Sequence, residues 1–144
     1  MSELTPGGHD AAPMPFPRTI PFINLLGIEL LRFGGGEAQL RFTPGDEHGN
    51  SFGVVHGGAL MTLLDVTMAH AARSAEAEDM GCITIEMKTS FMRGAEGPIV
   101  CTGKLQHRTR SLAFVEATIH NAQGEACCHA TGTFKVLKRK TGSD

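Results

Sequence analysis

The chain contains no tryptophan and no tyrosine, so eight phenylalanines and seven methionines must supply most of the bulk of any ligand pocket. It also lacks any unbroken apolar run approaching the roughly 20 residues that span a bilayer, which excludes a transmembrane helix. Excess charge of one sign is missing as well: 13 basic residues stand against 15 acidic ones, a net charge of -2, which argues against nucleic acid as the main partner. Cys82, Cys101, Cys127 and Cys128 form no CxxC pair and no Cys/His spacing of the zinc type, and Cys127 and Cys128 as neighbours point to opposite faces of a strand. They read as reduced, structural thiols. The seven histidines are scattered; His48 and His56 flank one loop without a regular ligand set, so no metal site is expected. Repeats, low-complexity segments and long linkers are absent, and 144 residues are enough for one domain with a real core.

At the N-terminus, residues Met1 to Pro17 carry Gly, Pro and polar residues but no apolar h-region. They read as a mobile leader and not a signal peptide, with the domain over 18–140 and a cytoplasmic location expected.

What the chain does have is a glycine-punctuated loop running into an apolar helix, from His48 to Asp65. The run Ala59 to Arg73 has no Pro or Gly and few β-branched residues, which predicts a helix. Apolar residues occupy nearly every side of it, broken only by Thr62, Asp65, Thr67 and His70 before Arg73, so a sheet must wrap it. Helical spacing sets Asp65 among Met61, Met68, Ala69 and Ala72, where an unpaired carboxylate is expensive. Either a hydroxyl or backbone donor on a facing strand satisfies it, or it is a general base or nucleophile with a pKa raised by desolvation.

The helix start offers the other half of a site. Its first turn has free N–H groups, and Gly57 and Gly58 carry no Cβ to keep a ligand from the backbone, an oxyanion hole in outline. Tight packing alone would also explain two glycines there. Asp65 lies eight residues beyond Gly57, roughly 12 Å along the axis at the helical rise, so the two cannot act on one carbonyl. If both serve one reaction, amide and carboxylate come from two antiparallel helices, as in a twofold dimer with two equivalent sites.

Around this centre, Pro21 to Leu26 reads as a short helix stopped by Gly27. Ile28 to Phe33 and Glu37 to Phe42 form a hairpin across Gly34-Gly35-Gly36. Four more strands follow the helix: Cys82 to Arg93, Ile99 to Arg108, Leu112 to His120 and Cys127 to Val136, the last three a meander. In the first of these, Ile83, Ile85, Met87 and Phe91 share one parity and should face the helix, with Thr84 on the other. Together these elements predict an α+β layer arrangement. Asn50 either bonds backbone at the helix start or orients a water or acyl group.

The pattern Asn50-x-x-Gly53-x-x-His56-Gly57-Gly58-Ala59, with five further residues to Asp65, resembles the signature of hotdog-fold acyl-CoA thioesterases of the phenylacetate-degradation (PaaI) type. Ile83 to Arg93 is similar to that family's strand after the helix, and the ending Gly124 to Phe134 to its last strand, so the likeness runs from about Gly27 to Val136. The resemblance implies a hotdog fold, an antiparallel sheet of about six strands wrapped around one long central helix. It further implies an enzyme that hydrolyses an acyl- or aryl-CoA thioester, an obligate homo-oligomer as dimer or dimer of dimers, and no cofactor beyond the coenzyme A of the substrate. In that scheme the Gly57 amide stabilises the oxyanion, Asp65 of the other subunit attacks or activates water, and Asn50 and Thr84 position the water or carboxylate. Thr84 then faces the dimer seam and His56 fixes the loop. Gly58, Phe52, Met61 and Met68 are candidates for the substrate pocket, as is Phe91. Lys88, Arg93, Arg108, Arg110 and the tail Lys135 to Lys140 are candidates for the coenzyme A phosphates. Two other functions fit the fold: a hydratase or dehydratase pairing His56 with Asp65, and a non-catalytic acyl-CoA-binding domain; a plain structural dimer leaves Asp65 unexplained.

Overall fold

The computed structural model describes residues 8–139. Its longest helix, α2 (Gly57–Arg73), lies against one six-stranded antiparallel sheet made of β1 (Glu29–Gly34), β2 (Glu37–Phe42), β3 (Met80–Phe91), β4 (Ile99–Arg108), β5 (Leu112–His120) and β6 (Ala126–Lys138). The short helix α1 (Pro21–Leu26) precedes them and ends on Gly27, whose φ of 72° suits a residue without a Cβ. Leu63, Leu64 and Met68 of the helix are fully buried with Leu30, Phe42 and Phe134 of the sheet, in the single main core.

The helix settles closely on the sheet because two strands carry glycine beneath it. A Cβ on Gly103 would stand 3.0 Å from the Thr67 methyl, and one on Gly132 would stand 3.1 Å from the Met68 methyl. Either side chain would lift the helix. This is the α+β hotdog arrangement expected, and the β4 and β5 boundaries match the sequence reading.

The strand order is β1-β2-β4-β5-β6-β3. After the helix the chain crosses to the far side, so β3 pairs only with β6 and forms an edge. Its face assignment corrects the sequence reading. Thr84 pairs with Phe134 and Glu86 with Thr133, which leaves Ile85 as an extra residue in a bulge. The bulge reverses parity midway along the strand. Cys82 and Thr84 before it, and Met87 and Phe91 after it, therefore point to the helix side, while Ile83 and Ile85 lie on the outer face, each 55% exposed.

Part of the leader also departs from expectation. Residues 1–7 and 140–144 lie outside the described residues, but residues 8–17 are docked on the sheet: the Met14 amide donates to Leu30 O at 2.8 Å, and Arg41 donates to the carbonyls of His9 and Ala11. Phe16 packs against the core, its ring 5.2 Å from that of His70. All four cysteines are free thiols, and burial pushes Cys101 up to about 12 and Cys128 up to about 11. Among the described residues no helix is long and apolar enough to cross a membrane, and no group of three His, Cys, Asp or Glu could hold a metal.

Candidate active site

Helix α2 begins on a cap built from the loop before it. His56 is the N-cap, and its Nδ1 accepts from the Gly58 amide at 2.8 Å, while the amides of Ala59 and Leu60 both reach His56 O. Gly58 is thereby spent on the cap. The Gly57 N–H alone in this first turn has no partner among the described residues, and it faces a cleft of about 380 Å³ shared with Asn50, Leu60, Phe91 and Arg93. Phe91 sits 3.5 Å from where a Gly57 Cβ would be, so its ring borders the same amide.

Asn50 closes the loop that leads to this cap. Its side-chain oxygen accepts from the amides of Phe52 (2.9 Å) and Val54 (3.2 Å), and Gly53 makes the turn between with φ of 81°. Asn50 lines the Gly57 cleft and also the neighbouring hollow beside Pro44 and Asp46. Phe52, at the tip, is 87% exposed.

Two helical turns further on, Asp65 opens into a different cavity of about 690 Å³, bounded by α1, α2 and the start of β3. Thr84 of β3 donates its hydroxyl to Asp65 Oδ1 at 2.5 Å. Desolvation raises the Asp65 pKa above the ordinary aspartate value, and the Thr84 hydrogen bond pulls it partway back because it favours the charged form. The carboxylate is thus held in one orientation and made more basic than usual. Met61, Thr62, Ala69 and Met87 line the cavity with it.

Within one chain, then, Gly57 and Asp65 serve separate hollows. Met68 belongs to neither: it is fully buried in the core beneath the helix, because its position faces the sheet. Arg93 pairs with Glu125 at 3.6 Å beside the Gly57 cleft, and Arg110 is exposed in the β4–β5 turn. Arg108 pairs with Glu76, Lys138 with Glu78, and the Lys88 amine lies 3.5 Å from Ser90 Oγ.

The Asp65 cavity also holds Arg18 and Arg73, which the sequence did not single out, together with Arg139 of the basic tail. Arg18, Arg73 and Arg139 gather at it around Asp79, drawn from three distant segments. His70, buried at the same wall, donates from Nδ1 to Val66 O at 2.8 Å; burial pushes its pKa down to about 4, so it is neutral at physiological pH.

A sequence model of the thioesterase superfamily matches residues 52–128, which takes in the glycine pair, the helix with Asp65 and the strands through most of the sheet. The chain belongs to the thioesterase superfamily. Among solved structures, the conserved protein PA5202 from Pseudomonas aeruginosa is 32% identical, with a TM-score of 0.78 over 83% of this chain and 95% of that one. A thioesterase family protein from Silicibacter pomeroyi is 25% identical, with a TM-score of 0.78 over 83% and 91%. The PaaI protein of the E. coli phenylacetic acid degradation operon shares the fold at 20% identity, with a TM-score of 0.76 over 82% and 85%. This superfamily member accordingly carries the hotdog fold of PaaI.

Proposed function

We propose that this thioesterase superfamily member hydrolyses acyl- or aryl-CoA thioesters to the free acid and coenzyme A, each site assembled from two subunits. The observation that carries this reading is the Asp65 carboxylate, held at 2.5 Å by Thr84 and facing an apolar-walled cavity with a raised pKa. A carboxylate so placed is poised to take a proton from water or to attack a carbonyl carbon itself.

The reaction also needs a donor where negative charge develops. The Gly57 amide, unpartnered at a helix N-terminus, supplies it in this scheme by donating to the thioester carbonyl oxygen. Roughly 12 Å of helix separates it from Asp65 of its own chain, so the pair that acts on one carbonyl comes from neighbouring copies. The edge strand β3, 12 residues long and unpaired on its outer side, is the element through which two copies join in this reading. Antiparallel pairing of two β3 strands would carry Phe91 and Gly57 of one chain toward Thr84 and Asp65 of the other. The thiolate leaves without a dedicated general acid, since it is a better leaving group than an alkoxide.

Asn50 acts through the loop it closes and His56 through the cap it makes, so both are positioning residues here. A panel of acyl-CoAs read with a free-thiol reagent tests the reading. Thiol release by the wild type that disappears in Asp65→Asn is expected; a hydratase or a binding domain would release none, and that result would overturn the proposal.

A further inference from the structure

The cavity that holds Asp65 at one end gathers three guanidinium groups at the other. Arg18 donates from Nε to Asp79 Oδ2 at 2.9 Å and also through Nη2. Arg139 Nε lies 3.3 Å from Asp79 Oδ1, and Arg73 Nη2 lies 3.5 Å from the same oxygen while its Nε donates to Met80 O at 3.0 Å. All three arginines line the cavity. The other acidic side chains on this turn do not neutralise them, because Glu76 is paired with Arg108 and Glu78 with Lys138. One carboxylate therefore serves three cations.

That imbalance is costly for a purely structural clamp. The Arg73 side chain is only 7% exposed, and burial together with the neighbouring Arg139 charge disfavours its charged form. A clamp on the loop at Asp79 needs one arginine; a second and third add repulsion unless another anion joins them. Each guanidinium keeps at least one terminal nitrogen without a partner among the described residues, and guanidinium forks suit carboxylate and phosphate oxygens.

We propose that Arg18, Arg73 and Arg139 bind an anionic oxygen group of the substrate, at the far end of the cavity from the reacting carbonyl. The inference rests on the thioesterase reading of Asp65 and names the substrate class of that site. Asp65 and Arg73 are eight residues apart on one helix, roughly 12 Å along its axis. Between them the wall is mostly apolar, with Val66, Ala69 and Ile20 beside the neutral ring of His70. An extended pantetheine arm reaches beyond that span, whereas an acyl chain carrying a terminal carboxylate fits within it, so the geometry favours thioesters of dicarboxylic acids over contact with the coenzyme A phosphates.

The test compares a straight-chain acyl-CoA with its ω-carboxy counterpart of equal length, and offers both acyl groups also as N-acetylcysteamine thioesters, which lack every phosphate. Wild type is measured beside Arg18→Gln, Arg139→Gln and Arg139→Lys. A wild-type preference for the carboxylated acyl group on both carriers, reduced about tenfold in kcat/KM by the Gln variants and partly restored by Lys, places the anion on the acyl group. A loss confined to both coenzyme A thioesters places it on a phosphate, and the anion site stands. Unchanged kcat/KM for all four thioesters in both Gln variants, or an equal fall for all four, overturns the inference and leaves the thioesterase reading intact. Should the wild type hydrolyse none of them, calorimetric titration with adipate and with inorganic pyrophosphate decides the site by itself. Binding weakened about tenfold in Arg139→Gln supports it, and absence of binding to the wild type overturns it.

Discussion

Thr84 on the edge strand donates its hydroxyl to Asp65 on the central helix at 2.5 Å, across the wall of the larger cavity. This one contact decides which way the carboxylate points and opposes part of the pKa rise that burial imposes. Replacing it tests both effects. Thr84→Val should lower kcat about tenfold and move the acid limb of the pH–rate profile to higher pH, because a carboxylate without its donor ionises later. A profile that stays in place would separate Thr84 from the titration of Asp65.

Asp65→Asn should reduce thioester turnover by orders of magnitude while the fold is retained, as read by circular dichroism and free-thiol release. The same variant should be the more stable protein at neutral pH. Asp65 binds its proton more tightly folded than unfolded, so its contribution favours folding in acid and is lost as pH rises from the ordinary aspartate range through the raised value. Asn carries no such penalty. Thermal melts should therefore put Asp65→Asn a few degrees above wild type at pH 7, with the gap closing at pH 3.

Gly57→Pro removes the N–H without asking the helix to begin elsewhere. Gly57 is the first helical residue, a position proline tolerates, and His56 before it has φ -62° and ψ 139°, the extended geometry that proline imposes on its predecessor. Loss of one oxyanion donor should cost about 100- to 1000-fold in kcat, with the melting temperature little changed. A substituted protein with wild-type kcat would remove the amide from the mechanism.

His56→Ala should lower stability by about 1 kcal/mol, the usual cost of losing an N-cap, and His56→Asn should restore most of it because Asn also caps well. Urea midpoints read both variants. If Ala and Asn behave alike, the cap is not what the imidazole is for.

The order in which these features became legible follows their physics. The helix was visible because a stretch without proline or glycine carries apolar residues on most of its faces, and α1, β4 and β5 because glycine or polar turn residues end them. The face of β3 was misread at Ile83 and Ile85, since a bulge at Ile85 shifts parity and leaves no mark in the alternation of Ile83, Ile85 and Met87. Met68 stood as a pocket wall because the chain lacks Trp and Tyr and helical spacing sets it near Asp65, but that spacing cannot tell the cavity side of Asp65 from the sheet side occupied by Gly132. Arg18 and Arg73 went unnoticed because only folding brings residues so far apart to one Asp79.

Subunit complementation tests the shared site most directly. Asp65→Asn and Gly57→Pro are each expected to be inactive, but a dimer holding one chain of each retains one intact site, Gly57 from the first facing Asp65 from the second. Mixing the two after dissociation, with heterodimer formation followed by native mass spectrometry, should restore about one quarter of wild-type thioester hydrolysis. Heterodimers that form in full and stay inactive would contradict the account.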